Sequence, residues 1–134
     1  MKVLGIVASC FLLIFAFGIS SLAAFQTISV DKSFKNREIK VKVGSRIRVE
    51  LQEPGATGYL WTPNNLDDKY FEILKSATED VPPRGDVTGS PVARVWLIQA
   101  RQTGKSELKF SLSRPWENDK SPADTFVMRV RIIP

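Results

Sequence analysis

Apolar and polar side chains alternate with period two along Ile39-Lys40-Val41-Lys42-Val43 and again along Ile47-Arg48-Val49-Glu50-Leu51, with Gly44-Ser45 between the two runs. That period sends every second side chain to the same face, so each run predicts a strand with one buried face, and Gly44-Ser45 supplies the turn. A shorter apolar piece covers Tyr70 to Leu74 and a longer one Val92 to Ala100. Gln102-Thr103-Gly104-Lys105 then turns the chain into Glu107-Leu108-Lys109-Phe110-Ser111-Leu112, and Phe126, Met128, Val130 and Ile132 line one face of a last strand. About seven short strands spaced by roughly ten residues, without an amphipathic helix, predict an all-β fold, an Ig-like antiparallel β-sandwich. In such a sandwich Trp61 and Trp96 read as core residues.

The first residues follow another pattern. Lys2 precedes an apolar run from Val3 to Phe17, and small residues dominate Gly18 to Ala24. A positive start, an apolar centre and a cleavage site such as Ser21-Leu22-Ala23 predict that residues 1–24 are an export signal, removed to leave residues 25–134 as a single domain. The run is short for a membrane span and no basic cluster follows it, which disfavours the alternative, an uncleaved anchor. Val7-Ala8-Ser9-Cys10 has the form of a lipid-attachment box, but the most hydrophobic residues follow Cys10 and place it inside the signal. The expected destination is the secretory pathway, ending in the medium, a periplasm or a lysosome-like vesicle, with no membrane association after cleavage.

Composition narrows the chemistry. Cys10 is the only cysteine among the 134 residues and histidine is absent. Nucleophilic catalysis by Ser-His or Cys-His pairs is excluded, as is a zinc site built on imidazole or thiolate, so no cofactor or metal is expected. Paired carboxylates such as Glu117 and Asp119 are the remaining enzymatic material, and a small domain without a cleft makes an enzyme the weaker reading. The formal net charge is +5. Its basic residues stand two apart, as in Lys40 and Lys42, Arg46 and Arg48, and Arg129 and Arg131, which is the pattern of solvated strand faces rather than of a nucleic-acid stripe. No nucleic-acid partner is expected, and the charge would steer the domain toward an acidic one.

Large aromatics in loops carry the functional signal. Gly55-Ala56-Thr57-Gly58-Tyr59-Leu60-Trp61 and Ser113-Arg114-Pro115-Trp116-Glu117 each lie between strand patterns. Three loops, Gln52 to Thr57, Glu79 to Pro91 and Ser113 to Asp124, would emerge at one end of an antiparallel sandwich and form a composite binding edge. Trp116 either anchors a partner or folds back to cap the sandwich, and Tyr59 is open between contact and core. Arg84-Gly85-Asp86 matches an adhesive tripeptide, although Gly and Asp are common turn formers. An exported adhesion or carbohydrate-binding module that stacks sugars on Trp116 and Tyr59 is the alternative to a protein-binding wedge.

Thr57-Gly58-Tyr59 entering Leu60-Trp61, a glycine-containing middle loop, and Arg114-Pro115-Trp116 late in the chain together resemble the chagasin family, protein inhibitors of papain-like cysteine proteases. The resemblance spans about residues 26 to 133, and Arg-Pro-Trp is its most specific element. Two departures stand out. The family's Asn-Pro-Thr-Thr-Gly aligns with Pro54-Gly55-Ala56-Thr57-Gly58, matching strictly in the last two positions, and its Gly-x-Gly-Gly aligns with Val87-Thr88-Gly89-Ser90, which keeps one glycine. The resemblance implies a tight reversible inhibitor, monomeric when free, whose partner is a papain-like cysteine protease. Ala56, Thr57, Gly58, Tyr59, Gly89, Ser90, Arg114, Pro115 and Trp116 would enter or flank its cleft, with Arg114 giving directional hydrogen bonds and Pro115 limiting the loop's freedom.

Overall fold

The computed structural model describes residues 25–81, 91–117 and 120–134. The segment read as an export signal, the Arg84-Gly85-Asp86 tripeptide, Gly89, Ser90 and Asp119 lie outside the described residues. Among the described residues there are eight strands: β1 (Thr27–Val30), β2 (Glu38–Lys42), β3 (Arg46–Glu53), β4 (Leu60–Pro63), β5 (Phe71–Asp80), β6 (Val92–Ala100), β7 (Gly104–Ser113) and β8 (Asp124–Ile133). They form two four-stranded sheets, ordered β1-β3-β6-β5 and β2-β8-β7-β4.

The period-two runs place the core as expected. Ile47, Val49 and Leu51 of β3 are fully buried, as are Leu108 and Phe110 of β7 and Phe126 and Met128 of β8. Trp61 and Trp96 also lie in this core. The Trp96 and Phe110 rings meet across the sheets with centroids 4.6 Å apart, and Phe126 continues the contact at 6.1 Å from Phe110. Such tilted pairs add to the free energy of apolar burial.

Three details differ from the pattern read along the chain. First, Gly44-Ser45 is a crossing between sheets, not a turn joining neighbouring strands. Its Val43 N–H donates to Ile133 of β8 (2.9 Å) while its Gly44 N–H donates to Ala100 of β6 (2.8 Å), so each sheet holds one side of the turn. Second, two of the six pairings are parallel, β1 with β3 and β2 with β8, because the chain changes sheet at both early connections. β1 carries no legible alternation, since only Val30 of its four residues is buried. Third, β5 extends through Asp80, well past Leu74 and into the stretch read as the middle loop. It is an edge strand with Phe71 as its only fully buried residue, so its sequence shows no alternation to detect.

Candidate functional site

The register puts the roots of all three loops at one pole. Glu53, the last residue of β3, pairs with Val92, the first of β6, which in turn pairs with Asp80, the last of β5. In the other sheet Leu60, the first residue of β4, pairs with Ser113, the last of β7, and Asp124 opens β8 opposite Leu112. The first, middle and third loops therefore start and finish at the same end of the sandwich.

The first and third loops also touch at their tips. Gly58 adopts φ +78°, in the left-handed region that glycine enters without a Cβ penalty. A Cβ at this position would overlap Cη2 of Trp116, so the indole covers the bare face of Gly58. Trp116 nevertheless remains 68% exposed. It neither caps the sandwich nor joins the core; its other surface is left bare beside Thr57. Ala56 and Thr57 are exposed as well, Ala56 with φ +60° at the bend, and the Thr57 hydroxyl donates to the Pro54 carbonyl (2.9 Å).

Arg114 holds the two loops together. Its Nε donates to the Thr57 carbonyl (3.0 Å), its guanidinium carbon lies 4.3 Å from the Tyr59 ring centroid, and the Trp116 centroid is 5.9 Å away. A planar cation between two aromatic rings is attracted to their electron-rich faces. Glu117 completes the turn, its N–H donating to the Arg114 carbonyl (3.0 Å) and its carboxylate lying 3.5 Å from the guanidinium. In the free protein Arg114 thus has an inward role, its Nε and its flat face engaged within the loop pole. Tyr59 is half-buried beneath it, and Pro115 is exposed next to Trp116.

Two residues that the sequence reading passed over underpin the first loop. Glu53 Oε1 accepts from the backbone N–H of Trp61 (2.8 Å) and from Arg94 Nε (2.6 Å), and the Trp61 indole N–H donates to the Gln52 carbonyl (3.0 Å). The carboxylate thus spans the two ends of the first loop, which belong to different sheets, and ties them to β6 beside the root of the middle loop. Glu53 is 5% exposed. Parity could have found it: it continues the inward series Ile47, Val49, Leu51, where a carboxylate is costly unless paired.

Known proteins fit this arrangement. The chain superposes on the cysteine protease inhibitor EhICP2 from Entamoeba histolytica with a TM-score of 0.74 at 20% identity, covering 81% of this chain and 96% of that one. PbICP-C, solved in complex with falcipain-2, gives 0.52 at 19% identity with 81% and 99% covered. The ICP of Leishmania mexicana gives 0.52 at 23% identity with 75% and 93% covered. These likenesses establish a shared fold. No curated protein sequence matches the chain. The sequence profile of the family described as Chagasin family peptidase inhibitor I42 matches residues 40–130, a stretch that takes in Thr57-Gly58, Arg114-Pro115-Trp116 and the strands that bring them together. This protein therefore belongs to the chagasin family of peptidase inhibitors, and is not an enzyme.

Proposed function

We propose that the loop pole plugs the active-site cleft of a papain-like cysteine protease, reversibly and without being cleaved. The observation that carries this reading is the Arg114 bond to the Thr57 carbonyl together with the bare outer surface of Trp116. A thiolate attacks only a carbonyl presented in near-attack geometry, with its oxygen available to the enzyme's oxyanion donors. Here the tip carbonyl is already turned toward Arg114, and the left-handed bend at Gly58 takes the chain out of the extended form of a substrate. Trp116 supplies a rigid apolar anchor at low entropy cost, since Gly58 and Arg114 already fix its position. Gly89 and Ser90 would add contacts from the middle loop, whose root shares the pole. The related inhibitor solved in complex with falcipain-2 supports the same partner class. Export through cleavage of residues 1–24 would bring the domain to the compartments where such proteases act.

Titration of papain with the purified domain 25–134 tests the reading, and stoichiometric loss of peptidase activity without cleavage of the inhibitor is expected. In the same titration Trp116→Ala should weaken inhibition by about 2 kcal/mol, roughly thirtyfold, at unchanged thermal stability. Full activity of papain at equimolar inhibitor would overturn the proposal.

A further inference from the structure

The outer face of the β2-β8-β7 layer assembles cations that stand far apart in the chain. Register aligns Lys40 of β2 with Arg131 of β8, and Arg131 with Lys105 of β7, in one row across three strands. The adjacent row is Glu38, Arg129 and Glu107, in which the sign alternates. Lys42 and Lys109 extend the same outward positions along β2 and β7. Six cations thus face two carboxylates, an excess of four against the +5 of the entire chain.

In the adjacent row opposite charges stand side by side in register, so that row is not self-repelling. The Lys40–Arg131–Lys105 row is: like charges directly opposite on neighbouring strands destabilise a sheet. Glu38 reaches Arg131 (3.3 Å) and Glu107 reaches Lys109 (3.4 Å), while among the described residues no carboxylate lies within ion-pair distance of Lys40, Lys42 or Lys105. All three lysines are exposed.

We infer that this face binds a linear anionic polysaccharide, a sulfated or carboxylated glycan chain. Charge complementarity selects a polyanion, and the rest of the face selects its kind. Its outward positions carry no aromatic side chain, so it lacks the stacking platforms that single-stranded nucleic acids use. Their apolar side chains, Val127 and Ile133, are both half-buried and are separated by Arg129 and Arg131, so they do not make an anchor for a protein pocket or a lipid interface. A stiff, convex duplex cannot follow the twist of a sheet and meets it along one narrow line, whereas a flexible chain lies along rows spaced by about 4.8 Å across strands and about 6.6 Å along them. Lysine, a compact point charge, suits such non-bidentate contact. The Lys40–Arg131–Lys105 row is far from the loop pole: Lys105 precedes Ser113 by eight residues on one strand, roughly 26 Å. Glycan and protease would therefore occupy the molecule together.

Heparin of defined length serves as the probe, with binding measured by calorimetry in the absence of protease, so that the result is independent of the inhibitory reading. Lys40→Gln/Lys105→Gln should lower affinity about tenfold or more at 0.15 M salt and reduce the slope of log affinity against log salt. Lys69→Gln/Lys75→Gln, which removes the same charge elsewhere on the surface, should change affinity less than about twofold. Equal losses in the two variants would mean attraction by net charge alone and would overturn the assignment of a site. Absence of heparin binding, or equal binding of duplex DNA or anionic vesicles through the same lysines, would overturn the assignment of a glycan. Saturating heparin should leave papain inhibition unchanged; competition between the two would refute their separate placement.

Discussion

Gly58 is the residue on which the loop pole turns, because it combines φ +78° with direct coverage by Trp116. Gly58→Ala imposes two penalties: a left-handed conformation that costs an L-residue about 1–2 kcal/mol, and a methyl group where the indole now lies. The indole must leave, so inhibition should fall at least as far as in Trp116→Ala, accompanied by a lower melting temperature that Trp116→Ala does not share. Melting curves run beside papain titrations of the two variants check this, and an unchanged inhibition constant for Gly58→Ala would show that the Trp116 position is immaterial. Arg-Pro-Trp and Thr-Gly were legible in the chain as a matched pair of loop signatures. The direction of Arg114 was not: its bond to the Thr57 carbonyl spans 57 positions of sequence and exists only once the loops meet.

Between elements, buried ion pairs and hydrogen bonds decide how firmly the loops are rooted. Glu53→Gln keeps the shape but removes the charge that Arg94 needs, and breaking a largely buried pair of this kind costs about 3 kcal/mol. The expected result is a lower urea midpoint together with weaker inhibition by the folded protein, read from denaturation curves and from titrations well below that midpoint. Asp124, at the root of the third loop, joins it to the 3-10 turn at Lys32–Phe34 by pairing with Lys32 (2.6 Å) and Lys35 (3.2 Å). The Lys32 hydrogen bond, aided by Lys35 and the Thr125 N–H, holds its carboxyl below the usual aspartate value of 3.8. A depressed pKa contributes stability that is complete above the unfolded value and is lost as pH falls through the folded one. Wild type should therefore exceed Asp124→Asn by at most about 1 kcal/mol near neutral pH, since Lys32 is exposed. Urea titrations at a series of acidic pH values should show that margin persisting to pH 4 and closing below it. Glu53 was within reach of a parity argument; the partners of Asp124 were not, because they come from a connection without strand periodicity.

For the molecule as a whole, stability rests on the sandwich core, since residues 25–134 contain no cysteine. Phe110 is fully buried and touches both Trp96 and Phe126, so Phe110→Ala should cost about 3–5 kcal/mol in urea unfolding with an unchanged slope. A loss under 1 kcal/mol would place the mechanical centre elsewhere. The alternation of side chains by itself determined which residues of β2, β3, β7 and β8 face inward, because period two is a local property of extended backbone, but it did not reveal β1 or the length of β5, each of which buries a single residue. It could not determine which sheet a strand joins. The assignment of β2 and β3 to opposite sheets, the parallel edges, the inward turn of Arg114, the Glu53–Arg94 clasp and the Lys40–Arg131–Lys105 row all came from the tertiary structure. Each depends on pairing between residues remote in sequence, and that pairing is set by how two amphipathic sheets close over one core, which no local pattern encodes.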